Sequence, residues 1–212
     1  DPYRYCNGKR SKSEIYTQEN RKVARNIATE TFVLLKNEGN LLPLKKEGKI
    51  ALIGPLADTR NNIAGTWSVA QTPDKYTTIK EAMENALRGK ATLLYTQGSN
   101  IWRNRELQKN GEFGNPINWG DEAKMKAEAL QVAKDADVIV CAMGESADMS
   151  GECGSRTNLE MPNVQHELLA ELVKMGKPVV LLNFAGRPTV LSSEQQHVSA
   201  IMNVWFGGSE VG

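Results

Sequence analysis

Three carboxylates, those of Glu145, Asp148 and Glu152, lie within one short polar stretch of the sequence. An apolar run at 137–143 precedes this stretch and is typical of a buried parallel strand, and a helical pattern opens after it at Asn163. Open α/β sheets carry their working groups on loops that leave the carboxyl ends of the strands. A carboxyl group in that place can donate and accept protons. We therefore hypothesise that Glu152 is a catalytic acid/base.

Each polar group of this loop also has a plainer interpretation. On composition alone, a loop carboxylate such as Glu152 is most often a solvated surface group. Glu145 directly follows the strand, and we interpret it as a structural residue that caps or orients the loop. Arg156 is expected to pair with one of the carboxylates at the surface, where an ion pair contributes little to stability. Cys153 has no histidine base close to it in sequence and is interpreted as filler.

The elements that would position this loop alternate between strands and helices. Apolar runs bounded by turn residues predict five buried strands, at 49–54, 91–95, 137–143, 178–183 and 200–206. Helical spacing predicts helices that begin at Asn20, Thr78, Asp121 and Asn163, the first of them ending at Gly39. The alternation predicts an α/β fold: a three-layer sandwich with a mostly parallel central sheet of five to six strands and helices on both faces.

Composition excludes several classes of protein. The 212 residues are 40% apolar and 24% charged with a formal net charge of +1, so neither a disordered tail nor a dedicated binder of nucleic acid or anionic membranes is expected. No apolar run approaches the roughly 18 residues of a membrane span. Three widely spaced cysteines fit neither a disulfide framework nor a zinc site.

No cofactor or metal site is predicted. His166 and His197 lack metal-ligand spacing and are interpreted as core or surface residues. Gly207 and Gly208 precede a helix in the manner of a phosphate-binding turn. The glycine-rich motif of nucleotide-binding domains is nevertheless absent after the first predicted strand. Pro55 stands there instead and lacks the backbone amide that a phosphate group would use. A nucleotide-binding domain stays open as a hypothesis, because the fold alone does not give the function.

Several ordered segments resemble one known family. They lie at 28–37, 41–44, 50–55, 144–157, 186–188 and 204–210. Together they closely resemble the second domain of family 3 glycoside hydrolases, the β-glucosidase family, from Asn20 onward. The resemblance implies that residues 1–19 are a linker from a missing N-terminal barrel domain and that residues 20–212 are an α/β sandwich domain, truncated at its C-terminal end. The barrel would carry the aspartate nucleophile and most sugar contacts.

The chemistry implied by the resemblance is retaining glycoside hydrolysis, in which two carboxyl groups stand about 5–5.5 Å apart. The acid of the family pattern maps onto Glu152. Gly151 and Gly154 would let its backbone approach the barrel closely, and the resulting desolvation would raise the pKa of the carboxyl group towards that of a general acid. In the chain alone we expect Glu152 to be solvated and the fragment to be inactive.

The implied enzyme hydrolyses terminal β-linked sugar residues, with a β-linked oligosaccharide or a β-glucoside as substrate. Family resemblance alone favours a periplasmic or secreted location. Asp148 and Trp67 are candidate substrate-binding residues. Trp67 and a second aromatic group, formed by Trp102, Phe113 and Trp119, could stack on sugar rings or serve in core and interdomain packing. The alternative function is that of a non-catalytic carbohydrate-binding or structural interface domain.

Overall fold

Strands and helices alternate along most of the chain. The computed structural model describes residues 1–68, 72–110, 117–152 and 154–212. The strands in these ranges are β1 (Val33–Asn37), β2 (Lys49–Ile53), β3 (Thr92–Thr96), β4 (Val138–Gly144), β5 (Val179–Phe184) and β6 (Ala200–Asn203). The helices are α1 (Ser11–Glu14), α2 (Gln18–Thr31), α3 (Ile79–Leu87), α4 (Arg105–Asn110), α5 (Glu122–Lys134), α6 (Asn163–Val173) and α7 (Glu194–His197).

The strands form one six-stranded sheet in the order β1-β6-β5-β4-β2-β3. Each neighbouring pair is parallel except β1 and β6, which are antiparallel. In the parallel register, Ile50 of β2 lies beside Val138 of β4, and Cys141 of β4 lies beside Leu181 of β5. The strand before the acidic loop, β4, is therefore central, with a parallel partner on each side.

Helices cover both faces of this sheet. Alternate side chains of a strand point to opposite faces, so Leu52 of β2 joins one apolar cluster and Ile53 joins the other. Ile79 of α3 packs in the first cluster. Ala129 of α5 and Leu168 of α6 pack in the second. The mostly parallel sheet between two helical layers confirms the predicted α/β sandwich.

The segment that forms β1 was predicted to be helical, and this prediction is wrong. α2 ends at Thr31, well before the predicted stop at Gly39, and Val33 of β1 pairs with Asn203 of β6. Two leucines of β1 continue the helical spacing of α2, but their backbone groups find partners in β6. Tertiary hydrogen bonding thus overrides a local pattern, and the sheet gains a sixth strand.

Local signals do set the starts of two helices. The Oγ1 of Thr78 accepts a hydrogen bond from the Glu81 amide (3.2 Å), and the Glu81 carboxylate accepts one from the Thr78 amide (3.0 Å). This capping box begins α3. Asp121 accepts a hydrogen bond from the Lys124 amide (2.8 Å) and begins α5.

The N-terminal segment packs lightly on the sandwich. α1 buries no residue, and α2 buries only Ala28. Val23 and Ile27 of α2 are exposed. The helix is held instead by an ion pair between the Arg21 Nε and the Glu210 Oε1 (2.6 Å), in which the carboxylate side chain is 3% exposed.

The described residues give no sign of a membrane span or a metal centre. None of their helices combines the length and the apolar character needed to cross a bilayer. No three His, Cys, Asp or Glu side chains among them are grouped so that they could hold a metal ion. Cys141 is a free thiol buried in the sheet, and burial raises its pKa.

Candidate active site

The acidic loop leaves the sheet where two chain connections diverge. β2 is followed by α3 on one face, whereas β4 is followed by α6 on the opposite face. Because β2 and β4 are neighbours, their connections separate and leave a crevice at the carboxyl end of the sheet. Open α/β proteins bind ligands at such a switch point.

The last residue of β4 is a glycine for a steric reason. Gly144 has φ 131°, and a Cβ atom at this position would collide with the carbonyl oxygen of Phe184 on β5. The next amide, that of Glu145, donates a hydrogen bond to the same carbonyl (2.8 Å). The close approach of the two backbones turns the chain so that Glu145 lies beneath the loop.

Glu145 is the charged centre of the loop and is 0% exposed. Its Oε1 accepts hydrogen bonds from the Arg156 Nη1 (2.7 Å) and the Arg187 Nη2 (2.9 Å). The Arg187 Nε lies 3.2 and 3.3 Å from the two carboxylate oxygens. The structural interpretation of Glu145 agrees with this geometry. Arg156 pairs with one of the carboxylates as expected, but the expected surface location is wrong, because its side chain is only 10% exposed.

Arg156 connects the buried carboxylate to the following segment. Its Nη2 donates to the carbonyl oxygen of Glu160 (3.1 Å), and its guanidinium lies over the ring of Trp102, 5.0 Å from the centroid. Burial lowers the pKa of Arg156, while the charge of Glu145 acts in the opposite direction. The guanidinium is therefore held by a carboxylate, a carbonyl group and an aromatic face.

Two buried amides that sequence reasoning missed also hold the loop. The Gln165 Oε1 accepts a hydrogen bond from the Gly144 amide and its Nε2 donates to the Gly144 carbonyl, both at 2.8 Å. The Asn62 Oδ1 accepts from the Ala147 amide (3.1 Å). Both side chains are buried. For Gln165, a signal was present: a polar residue beside Val164 on the apolar face of a helix.

Glu152 stands at the far end of this anchored loop and is exposed to solvent, as expected for the chain alone. Its neighbour Gly151 has φ 98°, and a Cβ atom there would lie 2.6 Å from the Thr66 Oγ1. No hydrogen bond or ion pair joins the Glu152 carboxylate to the described parts of the chain. The loop therefore presents a carboxylate that is free to meet a surface outside these residues.

The two candidate substrate contacts occupy different surroundings. Trp67 is 72% exposed with φ 65°, and the residue before it, Thr66, lies against Gly151. The structure thus brings the loop that carries Trp67 against Gly151, the residue before Glu152. Asp148 is half-buried on a single 3₁₀ turn, Ala147–Met149. It lies within the same loop and faces solvent less than Glu152 does.

Two of the other candidate residues, Trp102 and Trp119, contact arginine side chains. Trp102 is half-buried and packs on the core beneath Arg156, which favours the packing role. Trp119 is half-buried with the Arg105 guanidinium 5.5 Å from its ring centroid. Phe113 and Cys153 lie outside the described residues.

The two histidines lie on α6 and α7. The His166 Nδ1 is 2.8 Å from the Glu194 Oε1, which joins α6 to α7. His197 is exposed at the end of α7. These are surface and interhelical positions, as expected for core or surface residues.

Relatives of the chain are glycosidases. The chain is 39% identical over 218 residues to a periplasmic β-glucosidase of Salmonella typhimurium, a match that covers 100% of this chain and 28% of that protein. It is 29% identical to a β-xylosidase of Formosa agariphila, covering 94% and 26%. The chain thus spans about a quarter of the length of these relatives.

Solved structures of β-glucosidases are also similar to the chain. A β-glucosidase from Listeria innocua in complex with gluconolactone superposes with a TM-score of 0.81 at 31% identity, covering 100% of this chain and 26% of that one. The D270A variant of the Listeria innocua enzyme in complex with laminaribiose matches with the same TM-score at 30% identity. The model of the glycosyl hydrolase family 3 C-terminal domain matches residues 32–212. The chain therefore belongs to glycosyl hydrolase family 3 and contains its C-terminal α/β domain.

Proposed function

We propose that this chain supplies Glu152 as the general acid/base of a retaining β-glucosidase-type enzyme. The observation that carries the proposal is an exposed carboxylate at the end of a firmly anchored loop, at the switch point of an α/β sheet. Membership of family 3 supports it, because the relatives are glycosidases. The reaction would be hydrolysis of terminal β-linked sugar residues.

The second carboxylate of the reaction would come from another domain of the same polypeptide. Retaining hydrolysis needs a nucleophile about 5–5.5 Å from the acid/base. The proposed donor is an N-terminal barrel domain, with residues 1–19 as the linker that leaves it. The length of the relatives, roughly four times that of this chain, leaves room for such a domain.

Docking of the barrel would give Glu152 the environment that a general acid requires. In the chain alone the side chain is exposed. A covering domain would remove part of its water, and desolvation raises the pKa of a carboxyl group. A larger fraction of the Glu152 carboxyl groups would then be protonated at the working pH and able to protonate the leaving oxygen.

Trp67 and Asp148 are proposed to contact the substrate, a β-linked oligosaccharide or a β-glucoside. Trp67 is exposed on the loop whose Thr66 lies against Gly151, the residue before Glu152, and exposed aromatic faces pack against the apolar faces of sugar rings. Asp148 would accept hydrogen bonds from sugar hydroxyl groups. The proposed location is periplasmic or secreted, in keeping with the name of the Salmonella typhimurium relative.

The test is a leaving-group series on the complete polypeptide with Glu152→Ala. Removing the general acid should lower kcat/KM by about 100- to 10,000-fold for a β-glycoside with a poor leaving group. A nitrophenyl leaving group needs little protonation, so its loss should be much smaller. The measurement is kcat/KM for both substrates.

Glu167→Gln, a change of another glutamate on the exposed face of α6, serves as the control. It should leave kcat/KM for both substrates unchanged. Equal rates for Glu152→Ala and the parent across the whole series would exclude the acid/base role. That outcome would favour the alternative of a non-catalytic carbohydrate-binding or structural interface domain.

A further inference from the structure

The buried carboxylate beneath the loop has no part in the proton transfer proposed above, yet it is fully enclosed. Burying a charge is costly unless it is paired and hydrogen-bonded. Glu145 meets that condition by contacting two arginines that belong to different segments: Arg156 lies before α6 and Arg187 follows β5. One carboxylate therefore joins three separate parts of the crevice.

The two arginines also reach forward along the loop towards Glu152. The Arg187 Nη2 lies 3.5 Å from the carbonyl oxygen of Met149, and the Arg156 Nη1 lies 3.7 Å from the Met149 sulfur. Met149 precedes Glu152 by three residues and is itself buried. The guanidinium groups therefore contact the loop at its first residue and again close to its tip.

We propose that Glu145 is the positioning residue for Glu152: by fixing both arginines, it holds the tip of the loop in the orientation that presents the Glu152 carboxylate to the leaving oxygen. This inference rests on the proposed function. Glu145 itself would touch neither the substrate nor the reacting atoms, because it is enclosed on all sides.

The geometry makes the arrangement sensitive to charge and to shape. Arg187 approaches the carboxylate with both Nε and Nη2, a planar contact that lysine cannot reproduce. In Glu145→Gln the negative charge disappears and two cations remain beside each other without their counter-charge. We expect them to separate and to release Met149, which would let the tip of the loop move.

The test uses the complete polypeptide and the ratio of kcat/KM for a good leaving group to that for a poor one. Misplacement of the acid by about 1 Å can lower a rate about 100-fold, so the ratio in Glu145→Gln should rise by roughly 10- to 100-fold. The limb of the pH profile that reports the general acid should shift as well. Loss of folded protein alone would lower the apparent kcat/KM for both substrates equally and leave the ratio unchanged.

Arg187→Lys provides a second variant in case Glu145→Gln does not fold, since it keeps the charge and should raise the ratio by a smaller factor. Glu167→Gln is the matched control and should leave the ratio unchanged. An unchanged ratio in a folded Glu145→Gln or Arg187→Lys protein, while Glu152→Ala raises it, would overturn the positioning role alone. An unchanged ratio in Glu152→Ala would overturn the proposed function itself.

Discussion

Two glycines at strand ends show how closely the backbones approach at this crevice. Gly54 after β2 has φ 141° and Gly144 at the end of β4 has φ 131°. In each case a Cβ atom would strike a main-chain carbonyl of the neighbouring strand, that of Ala142 or that of Phe184. Rigid backbone cannot yield as a flexible side chain would. The two positions therefore require glycine on both conformational and steric grounds.

Gly144→Ala should accordingly destabilise the chain by at least about 3 kcal/mol, because strain and overlap with a sheet carbonyl act together. The matched control is Gly89→Ala, at φ 71° with no atom near the added Cβ. This variant should lower the free energy of unfolding by only about 1 kcal/mol, because alanine is strained in the left-handed backbone conformation. Urea unfolding of the purified chain, followed by circular dichroism, measures both values. Equal losses in the two variants would contradict the steric argument.

At the level of single residues, the sequence identified the carboxylates and Arg156 as a partner of one of them, but not the more distant partners. Glu152 is recognisable because its loop resembles a family motif. The contact between Glu145 and Arg187 joins residues 42 positions apart, and that between Gly144 and Gln165 joins residues 21 apart. Such partners become visible only once the strand order is known, and strand order does not follow from periodicity.

Among the secondary-structure elements, α2 depends on charge more than on apolar burial. It buries one alanine, while Arg21 and Arg25 approach the Glu210 carboxylate at 2.6 and 3.9 Å. Tyr16, just before the helix, adds its hydroxyl at 3.3 Å from the same carboxylate. The free energy of opening this helix should therefore be lower than that of the sheet.

Glu210→Gln tests this dependence. Removing the buried charge should weaken α2 attachment by about 2 kcal/mol, which corresponds to roughly 30-fold faster amide exchange in α2. Amides of β4 should exchange as in the parent. Glu14→Gln, which breaks an exposed pair with Arg10, is the control and should change neither. Uniform acceleration across α2 and β4 would show that the helix opens only with the whole fold.

The strands and helices themselves were largely predictable, because buried parallel strands give long apolar runs that need no knowledge of their partners. Thr78 and Asp121 likewise carry their capping signals within four residues. β1 was missed for the opposite reason. Its strand conformation is imposed by β6, which lies more than 160 residues later in the sequence.

At the scale of the molecule, this chain spans about a quarter of the length of its relatives. Retaining hydrolysis divides its work between two carboxyl groups, and the proposal assigns only one of them to this chain. The exposed position of Glu152 agrees with a carboxylate that gains its catalytic surroundings from a docked domain.

The purified chain alone should therefore release no nitrophenol from an aryl β-glucoside above the buffer blank. Under the proposal the nucleophile lies in another domain, so the inactivity should not come from misfolding, and circular dichroism should show a folded α/β protein in the same sample. Hydrolysis that scales with chain concentration and disappears in Glu152→Ala would contradict this division.

Nucleotides should leave the melting temperature unchanged, which also tests the nucleotide-binding hypothesis.

The ion pair between Glu145 and Arg187 also affects when the acidic loop can fold while the protein is being synthesised. The ribosome releases the N-terminal part of a chain first, so the acidic loop emerges before α6, β5 and Arg187. Until β5 has been synthesised and has joined β4, Glu145 lacks one of its two cations and its burial is unfavourable. We therefore expect this loop to reach its native shape late, after the central strands have assembled.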